Sequence, residues 1–195
     1  MKSNWVHNIG LAGAAGMLAI MPASAQTQEP AIDPLQTEIL EKYGILAGQW
    51  HPDPASLPEA DQKWRTENNV TDNWIEFSWG SDHQWMVFGD WQMKDGETKH
   101  SGAGLVAYDP SGHRVLFTEH GIRGASVLGT LSKPSENEIV RDIVVTRTDK
   151  SWRQIDRWIW DGKDPQCFIW SATYITGDKH SEGTSKKWCR RTAGQ

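Results

Sequence analysis

The stretch SWRQIDRWIWDGKDPQCFIWSATYITGDKHSEGTSKKWCRR, residues 151–191, decides the fold. It predicts three consecutive antiparallel strands, because apolar and aromatic residues alternate on either side of two turn-forming sequences, at 161–164 and 176–180. The aromatic residues of these strands are Trp152, Trp158, Trp160, Phe168, Trp170, Tyr174 and Trp188. The rest of the chain predicts further strands, which add to this ribbon until a barrel closes.

The two cysteines of the chain support this pairing. Cys167 and Cys189 are equidistant from Asp178 in the second predicted turn. A hairpin centred on Asp178 places them directly opposite each other, and facing residues of a non-hydrogen-bonded pair come close enough for a disulfide. The same register places Phe168 opposite Trp188 on the other face of the sheet. We therefore predict a Cys167–Cys189 disulfide.

The first 25 residues have the features of a secretory signal peptide. Lys2 precedes an apolar run at 9–21, and Ala-Ser-Ala at 23–25 matches a signal-peptidase site. Cleavage after residue 25 leaves 26–195 as one predicted domain in the periplasm or outside the cell. The apolar run is shorter than the ~18 residues of a membrane span, so no integral membrane segment is expected. Export to an oxidising compartment also favours the disulfide.

Charge and aromatic content narrow the function classes. The formal net charge is −5, and acidic and basic residues are interspersed, which disfavours a nucleic-acid binder. Of the twelve tryptophans, only Trp5 precedes the predicted cleavage site. Composition alone favours packing in a core, since indoles bury large areas. An aromatic-lined pocket is the alternative.

The order of predicted elements indicates an all-β, up-and-down antiparallel barrel of nine or ten strands with one short N-terminal helix. Asp33 can cap this helix, Pro34 suits its first position, and Gly44 ends it. Residues 51–61 are Pro-rich and polar and predict a loop. A first strand at 46–50 is followed by seven more before the final two predicted strands, at 73–80, 84–94, 100–109, 114–120, 125–131, 138–147 and 151–161. A β-sandwich is the alternative architecture.

One short motif resembles a known family. Gly48-Gln49-Trp50, in the first strand after a helix, resembles the GxW motif of lipocalin-like (calycin) barrels. The resemblance implies that Trp50 packs at the closed end under a basic residue from the last strand, where Arg190 and Arg191 stand. The other two lipocalin motifs are not visible. Residues 45–191 look more like exported bacterial lipocalin-like domains of unknown function, of the DUF1579 type.

Signatures of metal, cofactor and nucleophile sites are missing from the sequence. It has no HxH, HExxH, CxxCH or GxSxG pattern, and both cysteines are assigned to the disulfide. We therefore expect no metal and no cofactor. His120 differs from the histidines beside turns, because it ends a predicted strand after Glu119. A single histidine could ligate haem, but nothing else in the sequence supports that role.

Charged residues interrupt otherwise apolar strands and suggest where chemistry could lie. They are Glu76, Asp90, Arg141, Asp142, Asp156 and Arg157. An Arg141–Asp156 pair inside the barrel is one hypothesis. Cross-strand salt bridges on the wet outer face are the other, and the sequence favours them because charges are rarely buried.

Three functions remain open. The leading interpretation is an exported binding protein for a small apolar or aromatic molecule. Its candidate ligand-binding residues are Trp79, Trp85, Trp91, Trp158, Trp170 and Trp188. The alternative is a cofactor-free isomerase, lyase or cyclase. Its candidate catalytic residues are Asp156, Arg141, His120 and Glu76. A structural envelope protein, whose tryptophans only fill the core, is the third.

Overall fold

The computed structural model describes residues 34–121, 124–162 and 164–191. The helices are α1 (Pro34–Glu41) and α2 (Glu59–Glu67). The strands are β1 (Gly48–Pro52), β2 (Val70–Trp79), β3 (Trp85–Lys94), β4 (Glu97–Asp109), β5 (Arg114–Gly121), β6 (Ser126–Ser135), β7 (Glu138–Thr146), β8 (Ser151–Asp161), β9 (Asp164–Thr176), β10 (Lys179–Glu182) and β11 (Lys186–Arg190). The predicted signal peptide and the predicted cap Asp33 lie outside the described residues.

The strands form one antiparallel sheet, in which ten strands close a barrel and one is additional. From β2 to β9 each strand pairs with the next in the chain. β11 then pairs with both β9 and β1, and β1 pairs with β2, which closes the ring. β10 pairs with the same edge of β9 as β11, further along the strand. The predicted all-β, up-and-down antiparallel barrel is confirmed, and the β-sandwich is excluded.

Helix α1 confirms the predicted N-terminal helix, whereas α2 was not predicted. The predicted loop at 51–61 is wrong at its end, because α2 begins at Glu59. Only Ala60 and Trp64 are apolar in α2, so it has no apolar stripe from which a helix is recognised. Glu59 and Asp61 in its first turn favour the helix start. No helix in the described ranges is long and apolar enough to cross a membrane.

The last hairpin confirms the predicted disulfide through a different turn. Cys189 of β11 faces Cys167 of β9, their Cα atoms are 4.1 Å apart, and the sulfurs are bonded. The turn consists of residues 177–178, since Lys179 faces Thr176, so the hairpin is not centred where the sequence predicts. The register shifts by one residue between β10 and β11, and this shift restores the predicted pairing of the cysteines.

The first and last strands meet at the end of the barrel that α1 closes. Leu40 of α1 and Leu46, in the turn that follows, are fully buried there. Trp50 of β1 is also fully buried, and its indole N–H donates a hydrogen bond to the Leu46 carbonyl at 2.7 Å. The helix and the turn after it therefore supply both the apolar cover of the core and the acceptor for the buried indole.

Arg190 of β11 completes this closed end. Its guanidinium carbon lies 4.6 Å from the ring centre of Trp50, and its Nη2 donates to the Ile45 carbonyl at 2.8 Å. Gly48 lies against the Arg190 side chain with a φ of +121°, a backbone conformation that favours glycine. This is the contact that the lipocalin-like resemblance implies, and Arg190 supplies it, while Arg191 makes a surface ion pair.

Helix α2 lies at the opposite end of the strands. Asp61 of α2 accepts a hydrogen bond from the Lys186 ammonium at the start of β11, at 2.9 Å. Trp64 of α2 borders a cavity together with Asn73, near the start of β2, and Gln92, near the end of β3. One end of the barrel is therefore packed by apolar residues, while the other end contains a cavity beside a polar helix.

The disulfide should stabilise the barrel where the last strand joins the first. The cysteines are 22 residues apart, and closing a loop of that length contributes roughly 3 kcal/mol in the chain-entropy model. We expect the Cys167→Ser/Cys189→Ser variant to lose about that much free energy of unfolding in urea titrations. Reduced wild-type protein is the matched control and should unfold like the variant. Equal stability of the oxidised wild type and the variant would contradict the prediction.

Candidate functional site

The interior near α2 contains an ion pair between two neighbouring strands. Arg141 of β7 and Asp156 of β8 face each other in register. Arg141 alternates with the buried Ile139 and Ile143, and Asp156 lies two residues from the buried Trp158. Since residues i and i+2 of a strand share a face, both charged side chains point into the barrel. This differs from the outer position that the sequence favoured.

The pair is held by several hydrogen bonds. Arg141 Nε donates to Asp156 Oδ2 at 2.7 Å, and Arg141 Nη2 lies 2.5 Å from the same oxygen. Gln154 Nε2 donates to the other carboxylate oxygen, also at 2.7 Å. Asp156 is 0 % exposed, so these donors replace all of its hydration. The Arg141 guanidinium carbon also lies 4.7 Å from the centre of the Phe117 ring and 5.5 Å from that of Trp158.

Two further acids lie close to this pair. Glu119 of β5 has its Oε2 atom 3.7 Å from Arg141 Nη1, and Asp90 of β3 lies two strands away from Glu119. Between them, β4 presents Gly102. A Cβ atom there would lie 3.0 Å from Glu119 Oε1 and 3.6 Å from Asp90 Cβ. The two acids therefore converge on the space that the missing side chain leaves.

Burial changes the protonation of Asp90. Loss of hydration raises the pKa of the Asp90 carboxyl above its usual range. The hydrogen bond from the Ser101 side chain lowers this pKa in part, and so do the positive charges of His100, Arg141 and Lys186. Asp90 therefore stays protonated to a higher pH than an ordinary aspartate.

Burial has the same effect on Glu119, with different neighbours. Loss of hydration raises the pKa of the Glu119 carboxyl, and the Arg141 guanidinium lowers it in part. The carboxylates of Asp90 and Asp156 raise the pKa of Glu119 further, because adjacent negative charges disfavour its ionisation. A raised pKa makes a buried carboxyl a candidate for proton transfer.

A cavity of about 250 Å³ lies against these groups. Its polar residues are Asn73, Asp90, Glu119, Arg141 and Lys186, and its apolar residues are Ile75, Phe88, Trp158, Phe168, Trp170 and Trp188. Trp158 is 2 % exposed and Trp188 is 7 % exposed. The indole N–H of each has no hydrogen-bond partner in the described part of the chain. The cavity is thus bordered by acids and by two tryptophans whose buried N–H groups lack a partner.

A second cavity of about 250 Å³ borders the first on the side of α2. The two cavities share Asn73, Asp90 and Glu119. Trp64 of α2 and Arg147, just beyond β7, line the second cavity but not the first. The shared acids therefore stand between an aromatic interior and the space next to α2.

The six tryptophans predicted to bind a ligand divide between this cavity and other places. Trp158, Trp170 and Trp188 line the first cavity. Trp91 borders only the second cavity and stacks on Trp74 and His100. The other two lie away from both cavities. One, Trp79, is near α1, where its ring centre is 4.6 Å from that of His83, and the other, Trp85, is 36 % exposed.

The four predicted catalytic residues divide in the same way. Arg141 and Asp156 lie together inside the barrel. Glu76 lies on the face of β2 opposite to the buried Phe77, and His120 is exposed on β5, so neither joins the cluster.

Sequence reasoning missed Asp90 and Glu119 as site residues. Both alternate with core residues, Asp90 with Phe88 and Glu119 with Phe117. This alternation was a usable signal. It was ambiguous for β3, however, because both faces of that strand contain apolar residues.

No protein-family model matches this chain, and a comparison with curated proteins finds no match. The resemblance to lipocalin-like exported domains therefore stays a prediction. Within the described residues, no group of three or more His, Cys, Asp or Glu side chains is arranged to hold a metal ion. The function must be inferred from the cavity and the residues around it.

Removing one partner of the buried ion pair should be costly. Arg141→Met leaves the Asp156 carboxylate buried without its cation, which typically costs about 3–5 kcal/mol. The double variant Arg141→Met/Asp156→Leu should recover most of this loss, because an apolar pair of similar volume replaces both charges. Urea unfolding of the wild type and the two variants measures how much of the lost free energy the second substitution recovers.

The matched control is the exposed pair of Arg153 and Asp142 on the outer face of the same two strands. Arg153→Met should cost less than about 1 kcal/mol, because water screens this pair. If Arg141→Met costs no more than Arg153→Met, the inner pair does not have the buried role described here.

The raised pKa values of Asp90 and Glu119 predict how stability depends on pH. The folded state binds these protons more tightly than the unfolded chain. This tighter proton binding therefore stabilises the folded state fully below the ordinary carboxyl pKa. The stabilisation is lost as the pH rises through the raised pKa values of the two acids. We expect the Asp90→Asn/Glu119→Gln variant to gain stability relative to wild type as the pH increases from about 3 to about 7. A pH-independent difference in urea unfolding would contradict this.

Proposed function

We propose that the barrel binds a small molecule with an aromatic or apolar body and an oxygen function. The body would contact Trp158, Trp170 and Trp188 in the first cavity, and the oxygen would face the indole N–H groups and the acids. This binding role agrees with the aromatic side chains that cluster inside the barrel. The presence of a cavity argues against a structural role in which the tryptophans only fill the core.

The observation that carries the proposal is the cavity in which Trp158 and Trp188 lie beside buried acids, since both belong to the five tryptophans of the described residues whose buried indole N–H has no hydrogen-bond partner. A buried donor without a partner costs about 1–3 kcal/mol, and a ligand oxygen that accepts its hydrogen bond recovers that free energy. Asp90 and Glu119, which also line the cavity, can accept a hydrogen bond from a hydroxyl or, when protonated, donate one to a carbonyl. An oxygen function can therefore pair with either kind of group.

The volume of the cavity limits the size of the ligand. A cavity of about 150 Å³ in another protein accommodates benzene. The cavity here, at about 250 Å³, is therefore suited to one ring with substituents. A longer ligand would extend past Asn73 and the two acids into the second cavity.

We further propose that the protein works outside the cytoplasm. The Cys167–Cys189 disulfide supports an oxidising compartment, since such bonds are rare in the cytosol. The predicted signal peptide leads to the same location.

A pair of ligands with one shape and different chemistry tests the binding proposal. p-Cresol and p-xylene differ only by a hydroxyl in place of a methyl group. We expect isothermal titration calorimetry to show p-cresol binding at least about tenfold more tightly, which corresponds to one hydrogen bond of roughly 1.4 kcal/mol. Trp158→Phe and Trp188→Phe should reduce this preference, because phenylalanine has no N–H group.

Trp85→Phe is the control, since Trp85 lies on the outside of the barrel and should leave the preference unchanged. Equal affinity for the two compounds would overturn the proposal that the ligand carries an oxygen function.

A more general test is native mass spectrometry of protein purified from its own cell envelope. If the protein carries no small molecule and binds neither compound, the binding proposal is wrong.

A further inference from the structure

We propose that Asp90 and Glu119 form an acid–base pair, and that the barrel catalyses proton transfer between a carbon and the oxygen of a carbonyl compound held in the cavity. This inference rests on the proposed function, because the reaction takes place where the ligand binds. It goes beyond binding, since it assigns a chemical step to two residues.

The backbone of β4 brings the two acids to one space. Asp90 pairs in register with Gly102, and Glu119 pairs with Gly104. A Cβ atom on Gly102 would lie 3.0 Å from Glu119 Oε1, and one on Gly104 would lie 1.7 Å from the Thr118 carbonyl oxygen. Neither position has room for a larger residue without a shift in the structure. The glycines therefore let β3 and β5 present their carboxyls to the same volume.

The unpartnered indoles are an independent sign that this volume takes a ligand. Trp158 and Trp188 are more than nine-tenths buried, line the same cavity as the acids, and have no hydrogen-bond partner among the residues described. Indole N–H groups are donors of the kind that suit an oxygen that gains negative charge during a reaction. A carbonyl oxygen that becomes an enol oxygen is such an atom.

The charges around Asp90 suit it to the role of base. Asp90 accepts a hydrogen bond from Ser101 of β4 and faces three cationic or titratable groups, which are His100 of β4, Arg141 of β7 and Lys186 of β11. All four favour its ionised form. Its carboxylate can therefore form while its neighbour is still protonated.

The charges around Glu119 suit it to the role of acid. It faces the carboxylates of Asp90 and Asp156, which disfavour its ionisation, and only one cation, Arg141. Ionisation of Asp90 therefore favours the protonated form of Glu119. When two acids share a site, each affects the titration of the other, so their roles are properties of the pair.

The proposed step is balanced without a co-reactant. The Asp90 carboxylate removes a proton from the carbon next to the carbonyl, and the electrons of that C–H bond form a C=C bond. The π electrons of the C=O bond move to the oxygen, which takes the proton from the Glu119 carboxyl and becomes an enol. Arg141 Nη1, 3.7 Å from Glu119 Oε2, stabilises the carboxylate that remains. Reversal of the step returns a proton to the same or to a conjugated carbon.

Hydrogen–deuterium exchange tests this step with a defined probe. Phenylacetone has one ring, a carbonyl and acidic hydrogens between them. We expect the wild-type protein to accelerate exchange of these hydrogens in D₂O, followed by proton NMR, above the buffer rate. Asp90→Asn and Glu119→Gln should each lower the enzymatic rate by about 100-fold or more. Glu76→Gln, on the outer face of β2, is the matched control and should keep the full rate.

The pH profile separates chemistry from a structural effect. The wild-type rate should rise as Asp90 loses its proton and fall as Glu119 loses its own, which gives a bell-shaped curve. The residual rate of Asp90→Asn should lack the rising side, and that of Glu119→Gln should lack the falling side. A flat wild-type profile would overturn the assignment, and this measurement needs no variant to fold.

Calorimetry with phenylacetone distinguishes the two proposals from each other. If the wild type binds phenylacetone but does not accelerate exchange, catalysis is wrong while the binding function stands. Full exchange rates in both variants, with an unchanged circular dichroism spectrum, also overturn the acid–base pair. If neither phenylacetone nor p-cresol binds, the binding function itself fails, and the proposed catalysis fails with it.

Discussion

The charged interior of this barrel depends on the ion pair between Arg141 and Asp156. Asp156 has no contact with water, so its charge requires the guanidinium and the amide of Gln154 as permanent partners. Because Asp156 occupies one side of the guanidinium, Arg141 presents its remaining N–H group to Glu119. The pairing of Arg141 with Asp156 thus sets which N–H group faces Glu119, and the same guanidinium lowers the Glu119 pKa in part. Removal of Arg141 would affect both acids.

The two ends of the barrel show how apolar packing and a polar site share one sheet. At the end near α1, Trp50 and Arg190 contact each other, and each donates a hydrogen bond to a nearby carbonyl. At the end near α2, acids and glycines lie among the large apolar residues of the same strands, and cavities remain. Close packing at one end can stabilise the fold, which allows the other end to keep buried charges and unpaired donors.

The strands and the disulfide could be predicted from the sequence because they depend on local alternation and on turn residues. The inner face could not be predicted for every strand. In β3, the outward Trp85 and Val87 are as apolar as the inward Met86 and Phe88, so alternation alone cannot tell the two faces apart. Counting tryptophans consequently placed the exposed Trp85 among the ligand-binding residues.

The candidate site was harder to predict than the fold, because its members come from strands that are distant in the sequence. Asp90, Glu119 and Asp156 lie on β3, β5 and β8, and only closure of the barrel brings them to one cavity. Two glycines of β4 also contribute. The lack of a side chain at Gly104 lets the backbone of β5 come close, and the lack of one at Gly102 leaves space for the Glu119 carboxyl beside Asp90. A glycine in a strand can therefore serve the backbone and the site at the same time, and only the neighbouring strands reveal the second role.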